Sequence, residues 1–133
     1  MADKRKALID YIEHQRGKTF KLGEHDCLTF TNNAWRAMHG AGYADDLLDR
    51  YMDKGRDALR EEYGVHSLQE LLDARLTKCE RRVPPYGALV TTSQARRWHT
   101  GVALGISVGI SAVFVGADDV IYLPIESING AWL

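Results

Sequence analysis

The sequence carries no surplus of either charge. Its 17 basic and 18 acidic side chains leave a formal charge of −1, which excludes bulk attraction to nucleic acid or to an anionic membrane. The basic runs, Lys4 to Lys6, Arg81-Arg82 and Arg96-Arg97, are short and read as solvated surface. Long hydrophobic runs are also missing. The longest apolar stretch, Val102 to Val115, is broken by Gly105, Ser107, Gly109 and Ser111, and a membrane span takes roughly 20 apolar residues. The opening segment MADKRKALIDYIEHQRG interrupts its apolar residues with charges and lacks the apolar centre of a secretory signal. Cysteine is scarce: Cys27 and Cys79 are the only two. Nothing points to an oxidising compartment, so both read as free thiols and the chain as one made in the cytosol. The sequence has no glycine-rich phosphate loop, no G-x-S-x-G and no basic stripe with interleaved aromatics.

What is present fits a single domain over residues 1–133, with 45% apolar and 26% charged residues. No repeat, low-complexity segment or dividing linker is visible. The first half reads helical. Leu8, Tyr11 and Ile12 mark one face of a helix from about Asp3 to Gln15, stopped by Gly17. A second helix is expected from Asp26 to His39, with Cys27, Phe30, Ala34, Trp35 and Met38 at helical spacing, Asp26 as N-cap and Gly40 as stop. Leu47, Leu48, Tyr51 and Met52 suggest a third helix, and Ala58, Leu59 and Tyr63, ended by Gly64, a fourth. Ser67 to Glu70 forms a capping box ahead of Leu68, Leu71, Leu72 and Leu76. After Cys79 the pattern changes. Pro84-Pro85 with Gly87 marks a turn. Ala88 to Thr92, Trp98 to Gly105, Ile110 to Val115 and Val120 to Pro124 read as strands of an antiparallel meander. Helices first and strands second give an α+β class.

Cys27 stands out chemically. It sits in the first turn of the expected second helix, where unpaired backbone N–H groups and the positive end of the helix dipole stabilise a thiolate. The same N–H groups suit the oxyanion formed when that thiolate attacks a carbonyl. The plain alternative is that a free cysteine is a small core hydrophobe. Cys79, between Lys78 and Glu80, has no such setting and reads as structural.

A nucleophilic cysteine needs a base. His14 and His39 lie near helix ends, and His66 precedes a helix start. His25 is two residues from Cys27, suited to tune it but not to take its proton across a cleft. His99 differs. In Trp98 to Leu104 it shares one strand face with Gly101 and Ala103, small residues that leave room for a helix end. A thiol–imidazole pair between helix and sheet requires such room. A hydrogen-bonded strand histidine is the alternative. A metal site of His25, Cys27 and His99 does not have a usual zinc spacing and uses Cys27 twice. The residues therefore imply no metal and no cofactor.

Three segments resemble a known family. Phe20-Lys-Leu-Gly23-Glu-His-Asp26-Cys27 resembles the Y-x-W-G…D-C start of the catalytic helix in NlpC-type cell-wall peptidases. His99-Thr-Gly101-Val-Ala-Leu-Gly105 resembles their H-V-G-I-Y-L-G strand, and Pro85-Tyr-Gly87-Ala-Leu-Val90 their P-G-D-L-V turn and strand. All three come in the family's order. Nearly the whole chain, from the opening helix to Pro124, Ala131 and Trp132, also resembles small proteins encoded among phage and prophage tail genes, which are relatives of those peptidases.

The resemblance implies a papain-like NlpC-type fold, with N-terminal helices packed on a small antiparallel sheet or half-barrel. It implies Cys27 as nucleophile, His99 as general base and a third polar residue from the following strand. Ser111 is the polar candidate inside Ile110 to Val115, with Asp118 or Asp119 just beyond. It also implies a place in the virion tail after synthesis in the host cytoplasm. The partners would be other tail proteins at the hub or tip, with peptidoglycan peptide as substrate. Three positions depart from the family. Phe20 replaces a tyrosine that assists the oxyanion, Leu28 a serine after the cysteine, and Ala88 an aspartate of the turn. These departures carry the alternative of a catalytically weak or inactive fold serving as a structural tail-tip module. Trp98 or Trp132 would then supply the contact, unless Trp132 plugs the core.

Overall fold

The computed structural model of the protein describes residues 3–21, 25, 27–46, 48, 68–92 and 103–133. Helix α1 runs Lys4–Gln15 and α2 runs Cys27–His39. Asp3 caps α1 by accepting the backbone N–H groups of Arg5 and Lys6, at 3.1 and 3.2 Å. Such a cap satisfies donors that the first turn leaves without partners. Gly17 and Gly40 follow the two helices at positive φ, the conformation that ends a helix most cheaply in glycine. A shorter helix, α3, spans Leu68–Arg75. The segments 49–67 and 93–102 lie outside the described residues. With them lie Asp26, most of the expected third helix, the fourth helix, Ser67 and Trp98.

Five strands follow: β1 Leu89–Thr92, β2 Ala103–Ser107, β3 Ser111–Val115, β4 Val120–Pro124 and β5 Gly130–Trp132. They form one antiparallel sheet in the order β4-β3-β2-β1-β5. The first four are the expected meander. The fifth is an addition: the chain crosses back through a short 3-10 helix, Ile125–Ser127, and pairs Leu89 with Trp132 at the far edge. Trp132 is thereby sealed in the core and donates its indole N–H to Asp73 at 2.8 Å. It is the core plug, and not an exposed contact.

Among the described residues the helices cover one face of the sheet. Leu8, Ile12, Leu28, Phe30, Ala34, Leu71 and Leu72 pack against Leu89, Leu104, Ile106, Val113, Val115 and Trp132. The opposite face carries a second, smaller cluster of Val90, Ala103, Ala112, Phe114 and Ala131, with Ile121, Leu123 and Ile128 against it. Strand alternation produces both sets, since neighbouring residues point to opposite faces.

Both sheet edges are blunted. The backbone of 77–79 bonds along β5. On β4, Ile125 donates to Ile110 and Gly116 to Asp119. Those bonds turn the backbone groups of Val120, Tyr122 and Pro124 outward. The Val120 N–H is taken by the Asp119 carboxylate, and Pro124 has none, which removes donors from an edge open to pairing. Among the described residues no helix is long and apolar enough to cross a membrane.

Candidate active site at the start of the second helix

Two sets of contacts orient α2 on the sheet. At its start, Lys21 and His25 exchange backbone hydrogen bonds of 3.0 and 2.7 Å, and the Phe20 N–H donates to Ala117 at 2.8 Å. The chain therefore enters α2 beside the β3–β4 turn. At its end, Met38 lies against Gly87, whose N–H donates to Ser107, the last residue of β2. Thus α2 runs alongside β2 in the same direction. Gly105 pairs with Phe114, so the start of β2 is level with the end of β3. Cys27 consequently stands at the end of the sheet where β2 begins.

Cys27 is the first residue of α2, a thiol in no disulfide and 7% exposed within the main core cluster. Two effects oppose each other there. Burial disfavours a charged thiolate, while the N–H groups and dipole of the first helical turn favour it. His25 is also buried, its ring edge-on to Phe30 at 6.2 Å between centroids. The sequence placed His25 only as a loop residue near the nucleophile. Its backbone pairing with Lys21 fixes it just before the start of α2, and its spacing of two from Cys27 is the signal for that proximity.

His99 lies outside the described residues. Ser111 does not reach the cysteine. It is at the first position of β3 and accepts the Val108 N–H at 2.9 Å, next to the end of β2. That is the end of the sheet where α2 finishes, about 18 Å along the helix from Cys27. An antiparallel neighbour presents its last residues, not its first, to the beginning of β2, so the expected role for Ser111 is corrected by strand direction. Asp119 is at the right end, but its carboxylate is committed. It accepts the Gly17 N–H at 2.8 Å and the Val120 N–H at 2.7 Å. These bonds, that from Gly17 foremost, hold the carboxyl below its ordinary value. Asp118 is exposed in the same turn.

The expected face of β2 is corrected too. Ala103 and Gly105 point away from α2. Their smallness admits Phe114: a Cβ on Gly105 would meet its ring at 2.5 Å. Leu104 and Ile106 face the helices.

At the positions that depart from the resembled family, Phe20 is half-buried against the core and Leu28 fully buried. The neighbouring hydroxyl of Tyr11 does not substitute for the missing tyrosine. It donates to the Phe30 carbonyl at 3.0 Å, and burial raises its pKa far above the ordinary value. Thr31 likewise turns its hydroxyl to the Cys27 carbonyl at 2.7 Å.

A helix that opens on a cysteine and lies along the second strand of an antiparallel sheet defines a papain-like α+β fold of the NlpC/p60 kind. The structure is similar to the crystal structure of the NlpC/p60 domain of the peptidoglycan hydrolase SagA, with a TM-score of 0.60, 14% sequence identity and 97% of each chain covered. By sequence the chain belongs to the family described as a domain of unknown function, DUF6950, whose model matches residues 1–133. Comparison with curated proteins gives no match.

Proposed function

We propose that the protein is a cysteine peptidase that hydrolyses amide bonds in the peptide part of peptidoglycan. The observation that carries the reading is the position of Cys27 at the first residue of α2, at the sheet end where β2 begins. His99 precedes Ala103 by four residues, a reach of at most about 14 Å. Cys27 attacks the carbonyl carbon, and His99 takes the thiol proton and delivers it to the leaving amine. Water then releases the acyl group from the sulfur. The N–H groups of the first turn of α2 stabilise the oxyanion. The fold-level likeness to a peptidoglycan hydrolase domain supports the substrate class.

Purified peptidoglycan incubated with the protein should release new amino termini, detected by mass spectrometry of the soluble products. Release should stop in Cys27→Ala and in His99→Ala. Iodoacetamide at mildly acidic pH should label Cys27 faster than the half-buried Cys79. Equal, slow labelling of both thiols with no released termini would sink the reading.

A second reading is a structural module of a phage tail tip, acting through other tail proteins. The burial of Cys27, which leaves the thiol little surface to offer a substrate, supports a module without activity; the tail-tip role rests on the sequence resemblance alone. It requires a Cys27→Ala phage to assemble and infect normally, with the protein present in purified virions. Assembled tails that fail to infect would favour the peptidase.

A further inference from the structure

A groove of about 660 Å³ opens at the other end of α2, where the start of α1 meets the turn before β1. That volume is typical of a ligand site. Its apolar walls are Trp35, Met38 and Tyr86. Its rim carries Lys4, Arg5 and His39. The Arg5 guanidinium lies over the Tyr86 ring, 4.6 Å from the centroid, which orients it at the groove. His39 packs on Trp35 at 4.5 Å. Partial burial and the Lys4 ammonium hold its pKa below the ordinary value, so at neutral pH it is an uncharged hydrogen-bonding ring.

The side chains lining the groove carry two cations, Lys4 and Arg5, against one acid, Asp3. Among the described residues neither Lys4 nor Arg5 is in an ion pair. The acid among the described lining residues, Asp3, turns one carboxylate oxygen to the backbone N–H groups of Arg5 and Lys6 as a helix cap. Apolar walls under an unpaired cationic rim complement a chain that alternates an apolar side chain with carboxylates.

We propose that this groove is the docking site for an acidic peptide segment of a partner protein, anchored by an apolar side chain between Trp35 and Tyr86. Lys4 and Arg5 hold the flanking carboxylates. The site is separate from Cys27 and does not depend on the protein being a peptidase.

The test is an NMR titration of the full chain with the capped pentapeptide acetyl-Glu-Leu-Glu-Phe-Glu-amide. Saturable shifts should centre on the Trp35 indole, His39 and Tyr86. Exchanging the three glutamates for glutamine should weaken binding by about tenfold or more, as should raised salt. The Lys4→Glu/Arg5→Glu variant, its fold checked by retained spectral dispersion, should lose affinity to the same degree. The proposal is overturned if the glutamine peptide binds equally well or the shifts map elsewhere. It also fails if no shift appears at millimolar peptide, or if inorganic phosphate produces the same shifts at the same concentration, which would make this a simple anion site.

Discussion

The two ends of α2 are built for different purposes. Its first residue is a buried thiol, and the chain leading to it is pinned by the Phe20 N–H on the Ala117 carbonyl and the Gly17 N–H on the Asp119 carboxylate. Its last turn carries Arg36 and His39 and opens onto a groove walled by side chains from three parts of the chain. The first arrangement is closed and held by backbone, which suits a reacting atom that must not move. The second is open and lined by long side chains that reorient at little cost, which suits a surface that meets another molecule. One helix thus has a closed end, where the proposed chemistry falls, and an open end, where the proposed docking groove lies.

The comparison is broken most directly by removing the thiol. Cys27→Ala should cut release of peptide termini from peptidoglycan by roughly a thousandfold or more, the scale for loss of a nucleophile. Cys79→Ala should leave it unchanged. Equal effects of the two, measured as initial rates on the same substrate, would remove the special status of the N-terminal end. Leu28→Ala tests the packing of that end. Leu28 is fully buried beside Cys27, and truncation should cost about 2–5 kcal/mol in urea unfolding.

The corresponding test at the other end is Gly87→Ala. Gly87 has φ +92, and an added Cβ would lie 2.9 Å from the Met38 sulfur. The Met38 side chain can yield, so the cost is mainly the left-handed backbone, about 1–2 kcal/mol by the same measurement. A loss as large as that of Leu28→Ala would show the C-terminal end to be as rigid as the first.

The smallest expected effect concerns Asp119→Asn. The folded pKa of Asp119 is lowered from 3.8, chiefly by the Gly17 N–H and then by that of Val120. The unfolded chain binds the proton more readily, so the carboxylate's contribution is fully present above the ordinary value and is lost as pH falls through the folded one. Thermal unfolding from neutral pH downward should show wild type losing its advantage over Asp119→Asn across that interval. Parallel curves would mean that the carboxylate does not pin the approach to α2.

Much of the fold was legible because local chemistry and periodicity agree. Asp3, Gly17 and Gly40 are chemically suited to bounding helices, and the apolar spacing between them marks the buried faces. The strands were legible from their alternation and turns. Three things were not. Strand β5 is three residues long, Gly130–Trp132, and is held by β1 rather than by its own pattern. Alternation divided β2 into its two faces but did not tell which of them meets the helices, because both are apolar. Ser111 was a natural third catalytic candidate on the basis of strand membership alone, yet an antiparallel strand puts its first residue at the wrong end.

The sequence by itself therefore determined α1, α2 and α3, the four strands of the meander, the α+β class, and Cys27 at a helix start, all properties carried by neighbouring residues. Only the tertiary structure decided which end of the sheet Cys27 occupies and which face of β2 it meets. It also decided that Asp119 is spent on a backbone bond to Gly17, 102 residues away. Direction, face and long-range pairing arise when separate segments bury a common core, and no local spacing encodes them.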